Sequence, residues 1–242
     1  MTLVPASSEI LVSRADDVVR LTLNRPGRGN SLTPGLLDTL SQALDDTAGT
    51  ARAVVLSGTG PCFSSGGDVA AIRGHDTSAE DLHAYSDALV GGLNRVLLQL
   101  RTLPCPVIAA VNGPVTGGSL GLMLAADLSL MARTAFIQPY YAKMGFAPDQ
   151  ALEMGLIDQL AEPENFEQAL TDMLTRLEPH DASVIVTSRR LLDAQAGPDG
   201  LADRLDAERR AFLIQVARPE TRARMDHFLR VSPKSAAVEV HP

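Results

Sequence analysis

The stretch that decides the fold is Val107 to Asp127, V-I-A-A-V-N-G-P-V-T-G-G-S-L-G-L-M-L-A-A-D. Its opening, Val107 to Val111, is apolar, rich in β-branched residues and bounded by Pro106 and Gly113, which spells a buried strand. Asn112-Gly113-Pro114 turns the chain, Gly117 and Gly118 follow, and the apolar run Leu120 to Ala126 makes a buried helix. A strand that passes through glycines into a helix start leaves backbone N–H groups without intrahelical partners. Such groups hold an anion, or an oxygen that becomes negative during a reaction.

Outward from this stretch, a second glycine cluster has the same setting. Cys62-Phe63-Ser64-Ser65-Gly66-Gly67-Asp68 follows the apolar run Ala53 to Leu56 and precedes helical sequence. Two such loops at the same ends of two strands can place two N–H donors around one oxygen, the geometry of an oxyanion hole. Phosphate binding is disfavoured, because neither G-x-x-x-x-G-K-[ST] nor G-x-G-x-x-G is present. Gly117-Gly118-Ser119-Leu120-Gly121 does fit the G-x-S-x-G of a hydrolase nucleophile elbow. That motif needs strand, serine and helix without a gap, followed by an acid and a histidine. Here Asn112-Gly113-Pro114 intervenes, and His180 and His227 lie in helical or polar contexts. A serine hydrolase using Ser119 is therefore the weaker alternative, and His75, His83 and His241 read as solvated surface residues.

The remaining periodicities fit an α/β body. Ile10 to Val12 and Val18 to Leu23 are strands, the second alternating Val19, Leu21 and Leu23 with polar residues. Thr33-Pro34 starts a helix carrying Leu37, Leu40 and Leu44 on one face. Thr77 and Glu80 form the pattern of a capping box before a long helix that Pro104 stops. Leu128 to Met131 is a further strand. Beyond residue 165 the spacing is helical over Phe166 to Leu177, Ala182 to Leu192, Leu201 to Val216 and Thr221 to Phe228. Strands alternating with helices and then a helical tail give an α/β core over 1–165 and a C-terminal helical portion over 166–242.

Composition narrows the functional classes. A net charge of −8 over 242 residues argues against nucleic acid or an anionic membrane as the main partner. No apolar stretch approaches the ~20 residues of a membrane helix, and M-T-L-V-P-A-S-S-E lacks the basic start and apolar core of a signal peptide. Cys62 and Cys105 have neither metal nor redox spacing. The expectation is a reduced, cytoplasmic protein without a metal. Two acids stand out. Asp68 follows Gly66-Gly67 where a helix begins and reads as its cap. Asp149 follows Phe146-Ala147-Pro148, where apolar neighbours would raise a carboxyl toward the range of a general base.

Taken together these residues resemble the enoyl-CoA hydratase/isomerase (crotonase) superfamily. The matching features run in the family's order over about residues 8–165. They are Leu23-Asn24-Arg25-Pro26 through Asn30-Ser31-Leu32, Phe63 to Asp68, Pro106 to Gly113, Thr116-Gly117-Gly118, Asp127, Gly145 to Asp149, and Ala151 to Ile157. The resemblance implies a spiral of ββα units with trailing helices, assembled as a homotrimer or a dimer of trimers. It implies acyl-CoA substrates, coenzyme A entering only as part of the substrate, and no separate cofactor. The thioester oxygen would sit between the N–H groups of Gly67 and Gly118. Arg28 and the segment Ser64, Ser65 and Gly66 would lie along the CoA, with Tyr140 at the acyl pocket.

The departures bear on the reaction. Hydratases of the family use two glutamates, and their positions correspond here to Gly121 and Tyr140. Some isomerase-type members instead place one acid after the proline of G-x-x-P-[DE], which Asp149 matches. The expected reaction is double-bond isomerisation, with Gly67, Gly118 and Asp149 as the catalytic set. A non-catalytic acyl-CoA-binding protein and a hydratase are the alternatives. After the Pro-Asp position the family continues through a helical segment before A-x-E-A-x-x-x-G-L-[IV], whereas Asp149-Gln150 joins the two here almost directly.

Overall fold

The computed structural model describes residues 9–139, 145–178, 182–195 and 200–231. Its main sheet has six strands in the order β1-β2-β3-β4-β6-β8. These are β1 (Ile10–Ala15), β2 (Val18–Leu23), β3 (Ala53–Gly58), β4 (Val107–Val111), β6 (Leu128–Ala132) and β8 (Gln159–Ala161). The first pair is an antiparallel hairpin, turned by Asp16 and Asp17 at positive φ. All later pairs are parallel. Strand β4 is buried along its whole length, as an apolar run in a parallel sheet must be.

A second, smaller layer runs beside this sheet. Strands β5 (Val115–Thr116) and β7 (Ile137–Gln138) pair in parallel. Isolated bridges extend the layer from Leu32 to Gly67, from Ser64 to Val115, and from Ile137 to Phe146. Each circuit of the chain thus lays one strand in the large sheet and one short segment in the small ladder. That is the expected spiral, built by repetition rather than by a single long crossover.

Helices close each circuit. Helix α1 (Pro34–Thr47) is capped by Thr33, whose hydroxyl accepts from the Leu36 N–H at 3.2 Å. Helix α2 (Val69–Gly74) starts at Asp68, and α3 (Ala79–Thr102) buries Leu82, Leu89, Val96, Leu97 and Leu100. The cap of α3 is Ser78 and not Thr77: Ser78 accepts from the Asp81 N–H, while the Thr77 hydroxyl is drawn to the Asp81 carboxylate at 2.6 Å. Helix α4 (Ser119–Leu124) is shorter than its apolar run, because Leu124 already faces solvent. Helix α5 (Pro148–Glu153) holds Asp149 and Gln150 as successive residues, so the junction between the two family motifs is one continuous helix.

Among the described residues, four further helices follow: α6 (Phe166–Leu177), α7 (Ala182–Gln195), α8 (Leu201–Val216) and α9 (Pro219–Val231). Phe166, Leu170, Met173, Val216 and Met225 join the same buried cluster as the sheet. A buried ion pair adds to this attachment. Arg189 of α7, 2% exposed, donates to the Asp127 carboxylate at 3.0 Å and to the carbonyls of Leu100 and Leu103. Asp127 also accepts from the Val107 N–H at 2.8 Å. Burial pushes the Asp127 carboxyl up and the Arg189 guanidinium down, each partly offset by the other's charge. The decisive strand of the fold is therefore pinned at its start by a helix near the chain's other end.

Candidate functional site

The two glycine loops are held together by main chain. The N–H groups of Phe63 and Ser64 donate to the Pro114 carbonyl, and Thr116 N–H donates to the Ser64 carbonyl at 3.0 Å. Ser64 and Val115 are bridge partners, and Gly67 and Gly118 each lie three positions further along their segments. The two glycines therefore occupy equivalent places on neighbouring rungs. Among the described residues, neither Gly67 N–H nor Gly118 N–H has a protein acceptor, although Gly66, Asp68 and Gly117 beside them do. Asp68 N–H reaches the Leu32 carbonyl at 2.9 Å and Gly117 N–H the Gln138 carbonyl at 3.1 Å. Main-chain donors left unpaired next to fully paired ones mark where a ligand oxygen can be held.

Helix α3 supports both positions. A Cβ on Gly67 would lie 3.4 Å from Leu89, and one on Gly118 would lie 3.1 Å from Leu93, one turn later. Gly66 is the position that admits no side chain. Its φ is +81°, and a Cβ there would come within 2.7 Å of the Thr116 carbonyl oxygen. This close approach lets the two loops meet edge to edge.

Asp68 behaves as a brace. Its carboxylate accepts from the Ala71 N–H at 3.1 Å, the Ser31 hydroxyl at 2.9 Å and Arg25 at 3.1 Å. Burial alone would raise its pKa, but these donors outweigh it and hold the carboxyl below the usual range. The capping expectation holds, with an added link from the loop to Arg25.

Ser119 is no nucleophile in this arrangement. It is 0% exposed, and its hydroxyl lies 2.7 Å from the Thr116 carbonyl and 2.9 Å from the Ser64 carbonyl. Its hydroxyl proton is spent on tying the loops together. The expectation for Ser64 to Gly66 is narrowed in the same way. Ser64 is 0% exposed, donating to the Asn30 carbonyl and accepting from the Gly66 N–H. Ser65 N–H donates to the Gly29 carbonyl. Only the Ser65 side chain faces solvent, close to Gly29; Arg28, one residue earlier, is exposed and its guanidinium has no partner among the described residues. Tyr140 lies outside the described residues.

Asp149 departs from its expected surroundings. Its side chain is 69% exposed and accepts from Arg133 Nη1 at 2.6 Å, and Arg133 also pairs with Glu162 at 2.7 Å. The apolar neighbours in sequence point elsewhere: Phe146 joins the small ladder through Ile137, and Ala151 is fully buried. The carboxylate at the start of α5 is left to solvent and to the arginine that ends β6. His75 also differs from a plain surface residue, stacking on Tyr85 at 4.2 Å and facing Asp81 at 3.1 Å.

Gly121 leaves the α4 helix without an acid at this position. A Cβ there would sit 3.2 Å from Leu97 of α3, so the two helices approach closely across this glycine. No signal in the local sequence points to Leu97 as the neighbour, since 24 residues separate the two.

Among the described residues no group of three or more His, Cys, Asp or Glu could hold a metal ion. No helix among them is long and apolar enough to cross a membrane.

Comparison with known proteins agrees with this architecture. A putative enoyl-CoA hydratase of Thermus thermophilus is 42% identical over 127 residues, 51% of this chain and 49% of its own length. A probable enoyl-CoA hydratase of Mycobacterium bovis (echA12) is 37% identical over 163 residues, covering 66% and 56%. The chain thus spans about half the length of the curated relatives it matches. The crystal structure of an enoyl-CoA hydratase from Bacillus halodurans superposes with a TM-score of 0.80 at 20% identity, over 91% of this chain and 100% of that one. The family model for enoyl-CoA hydratase/isomerase matches residues 13–152, more than half of the sequence and both glycine loops. This chain belongs to the enoyl-CoA hydratase/isomerase family.

Proposed function

We propose that this chain binds an acyl-CoA thioester with its carbonyl oxygen between the Gly67 and Gly118 N–H groups, and shifts a double bond through the enolate. The observation that carries this reading is the pair of unpartnered N–H groups at equivalent positions on two bridged segments. Removing a proton next to a thioester carbonyl moves negative charge onto its oxygen. Two fixed donors stabilise that charge more than they stabilise the neutral carbonyl, so they lower the barrier. Asp149 takes the proton from C2 of a 3-enoyl thioester and returns it at C4, leaving the conjugated 2-enoyl product with no net gain of atoms. Arg133 must first release the carboxylate. A solvent-exposed ion pair of this kind is weak, so its opening adds little to the barrier.

Arg28 and Ser65, both exposed, suit the phosphate groups of CoA. Coenzyme A is then part of the substrate, and no further cofactor enters the reaction. Exposed Leu191, Leu192, Ile214 and Phe228 on α7, α8 and α9 suit burial between copies in a trimer or hexamer. A cytoplasmic enzyme is the setting this reading assumes.

A second reading, acyl-CoA binding without turnover, is favoured by the exposed and ion-paired state of Asp149. A panel of 3-enoyl- and 2-enoyl-CoA thioesters separates the readings. Rising conjugated-thioester absorbance from 3-enoyl substrates, lost in Asp149→Asn, supports isomerisation. Loss of that absorbance from 2-enoyl substrates would make the chain a hydratase and overturn the proposal. Thermal stabilisation by every thioester with no absorbance change would favour the binding protein.

A further inference from the structure

Helix α2, which begins two residues after Gly67, is gripped from outside by α9, the last helix among the described residues. Arg73 of α2 donates from Nε to one oxygen of Asp226 on α9 at 2.7 Å and from Nη2 to the other at 3.1 Å. Arg73 also pairs with Asp76. Asp76 in turn pairs with Arg222 of α9 at 3.2 Å. Arg222 and Asp226 are four residues apart on α9, so they share a face, and buried Met225 lies between them. Four charges, Arg73 on α2, Asp76 in the turn after it, and Arg222 and Asp226 on α9, alternate in sign around this contact. The bidentate geometry fixes orientation as well as distance.

The other supports of the Gly67 donor are known from its surroundings. Asp68 N–H is bonded to Leu32, the Asp68 carboxylate to Ser31 and Arg25, and Ile72 of α2 lies 3.9 Å from where a Gly67 Cβ would be. These hold the inner end of α2. Its outer end, at Arg73, meets α9 and the short turn at Asp76. A six-residue helix has too few internal hydrogen bonds to fix its own axis, so its direction depends on what grips each end. Gly118 has a different support, the ladder to Ser64 and Gln138 and the side chain of Leu93.

We infer that α9 is a clamp on the oxyanion loop: Arg73 and Asp226, with Asp76 and Arg222, position the Gly67 donor and leave the Gly118 donor alone. This rests on the oxyanion reading of the two glycines for its catalytic meaning, though not for the clamp itself. Arg73, Asp76, Arg222 and Asp226 act as positioning residues, since their contacts are with one another.

The test uses the full chain with Asp226→Asn and the conservative Asp226→Glu. Deuterium exchange is followed by mass spectrometry in peptides covering 68–75 and 115–122, alongside kcat and KM on a 3-enoyl-CoA thioester. Asp226→Asn is expected to speed exchange in 68–75 about fivefold and in 115–122 by less than about twofold, as a local opening does. It should lower kcat while leaving KM nearly unchanged, because a displaced donor weakens only the developing charge, and Asp226→Glu should restore both. Equal acceleration in the two peptides, no acceleration in either, or the contrast in exchange with kcat intact would overturn the clamp. If the unsubstituted chain turns over no thioester, the exchange contrast alone decides the clamp, and the failure belongs to the catalytic reading.

Discussion

Gly67 and Gly118 present their donors through backbone, whereas Asp149 presents a carboxylate at the open start of a six-residue helix. Moving the Gly118 N–H means breaking rungs between Ser64, Pro114, Thr116 and Gln138, and moving the Gly67 N–H means straining the Leu32 bonds on either side of it. Moving the Asp149 carboxylate means rotating a side chain that is 69% exposed and held by one exposed arginine. The first arrangement is costly to disturb and needs no reorganisation when charge develops. The second changes with rotamer and solvent. On the proposed reading, the preorganised part of this site is electrostatic and its acid–base part is the adjustable one.

The largest effect should come from striking the rigid half. Gly118 has φ −63°, so Gly118→Pro keeps that angle and deletes one N–H donor, while the added Cβ asks Leu93 to give by a few tenths of an ångström. Its kcat on a 3-enoyl-CoA should fall about 10²–10³-fold, measured by the rise of conjugated-thioester absorbance. A smaller loss would mean that this donor does not hold the reacting oxygen. On the adjustable half, Asp149→Asn should cost about 10²-fold in kcat, the lower end for removing a general base. Thioester-induced thermal stabilisation should survive in that variant, since Asp149 is not asked to bind CoA.

Asp68 lies between the two extremes, a side chain that braces a backbone donor. Asp68→Ala should lower unfolding stability by about 1–3 kcal/mol in urea melts, through loss of the cap and of the Ser31 and Arg25 contacts. Because the folded state holds this carboxyl below its ordinary 3.8, its contribution is fully present above that pH. It is lost as pH falls through the depressed value, so the gap between wild type and variant should narrow in acid. The smallest effect is expected from Arg133→Gln, which frees Asp149. Turnover should rise by no more than about fivefold, the most an exposed pair withholds. A large fall would show instead that Arg133 places the carboxylate.

Much of this arrangement was legible in short stretches of sequence. The fully apolar Val107 to Val111, the alternation in Val18 to Leu23 and the Thr33-Pro34 helix start each reflect rules that act within a few residues. The match of Ser65-Gly66-Gly67 to Thr116-Gly117-Gly118 as twin loops was also visible. Three features were not. The small ladder is made of two-residue strands and single bridges, too short to leave a period. The true cap of α3, Ser78, differs from Thr77 by one position, which depends on where the chain turns. The surroundings of Asp149 differ from the expected apolar setting because Phe146 joins the small ladder through Ile137 while the carboxylate faces solvent.

The amino-acid sequence by itself determined the order of strands and helices, the two places where side chains are missing, and the family to which the chain belongs. These follow from local backbone preferences and from residue identities in order. Only the tertiary structure decided that Gly67 and Gly118 stand three positions beyond bridged partners, that Ser119 is sealed, and that Leu97 closes over Gly121. It likewise paired Asp149 with Arg133 and joined Arg73 to Asp226 across 153 positions of chain. A hydrogen bond or an ion pair is made with whatever the fold brings near, and distance along the chain carries no record of it.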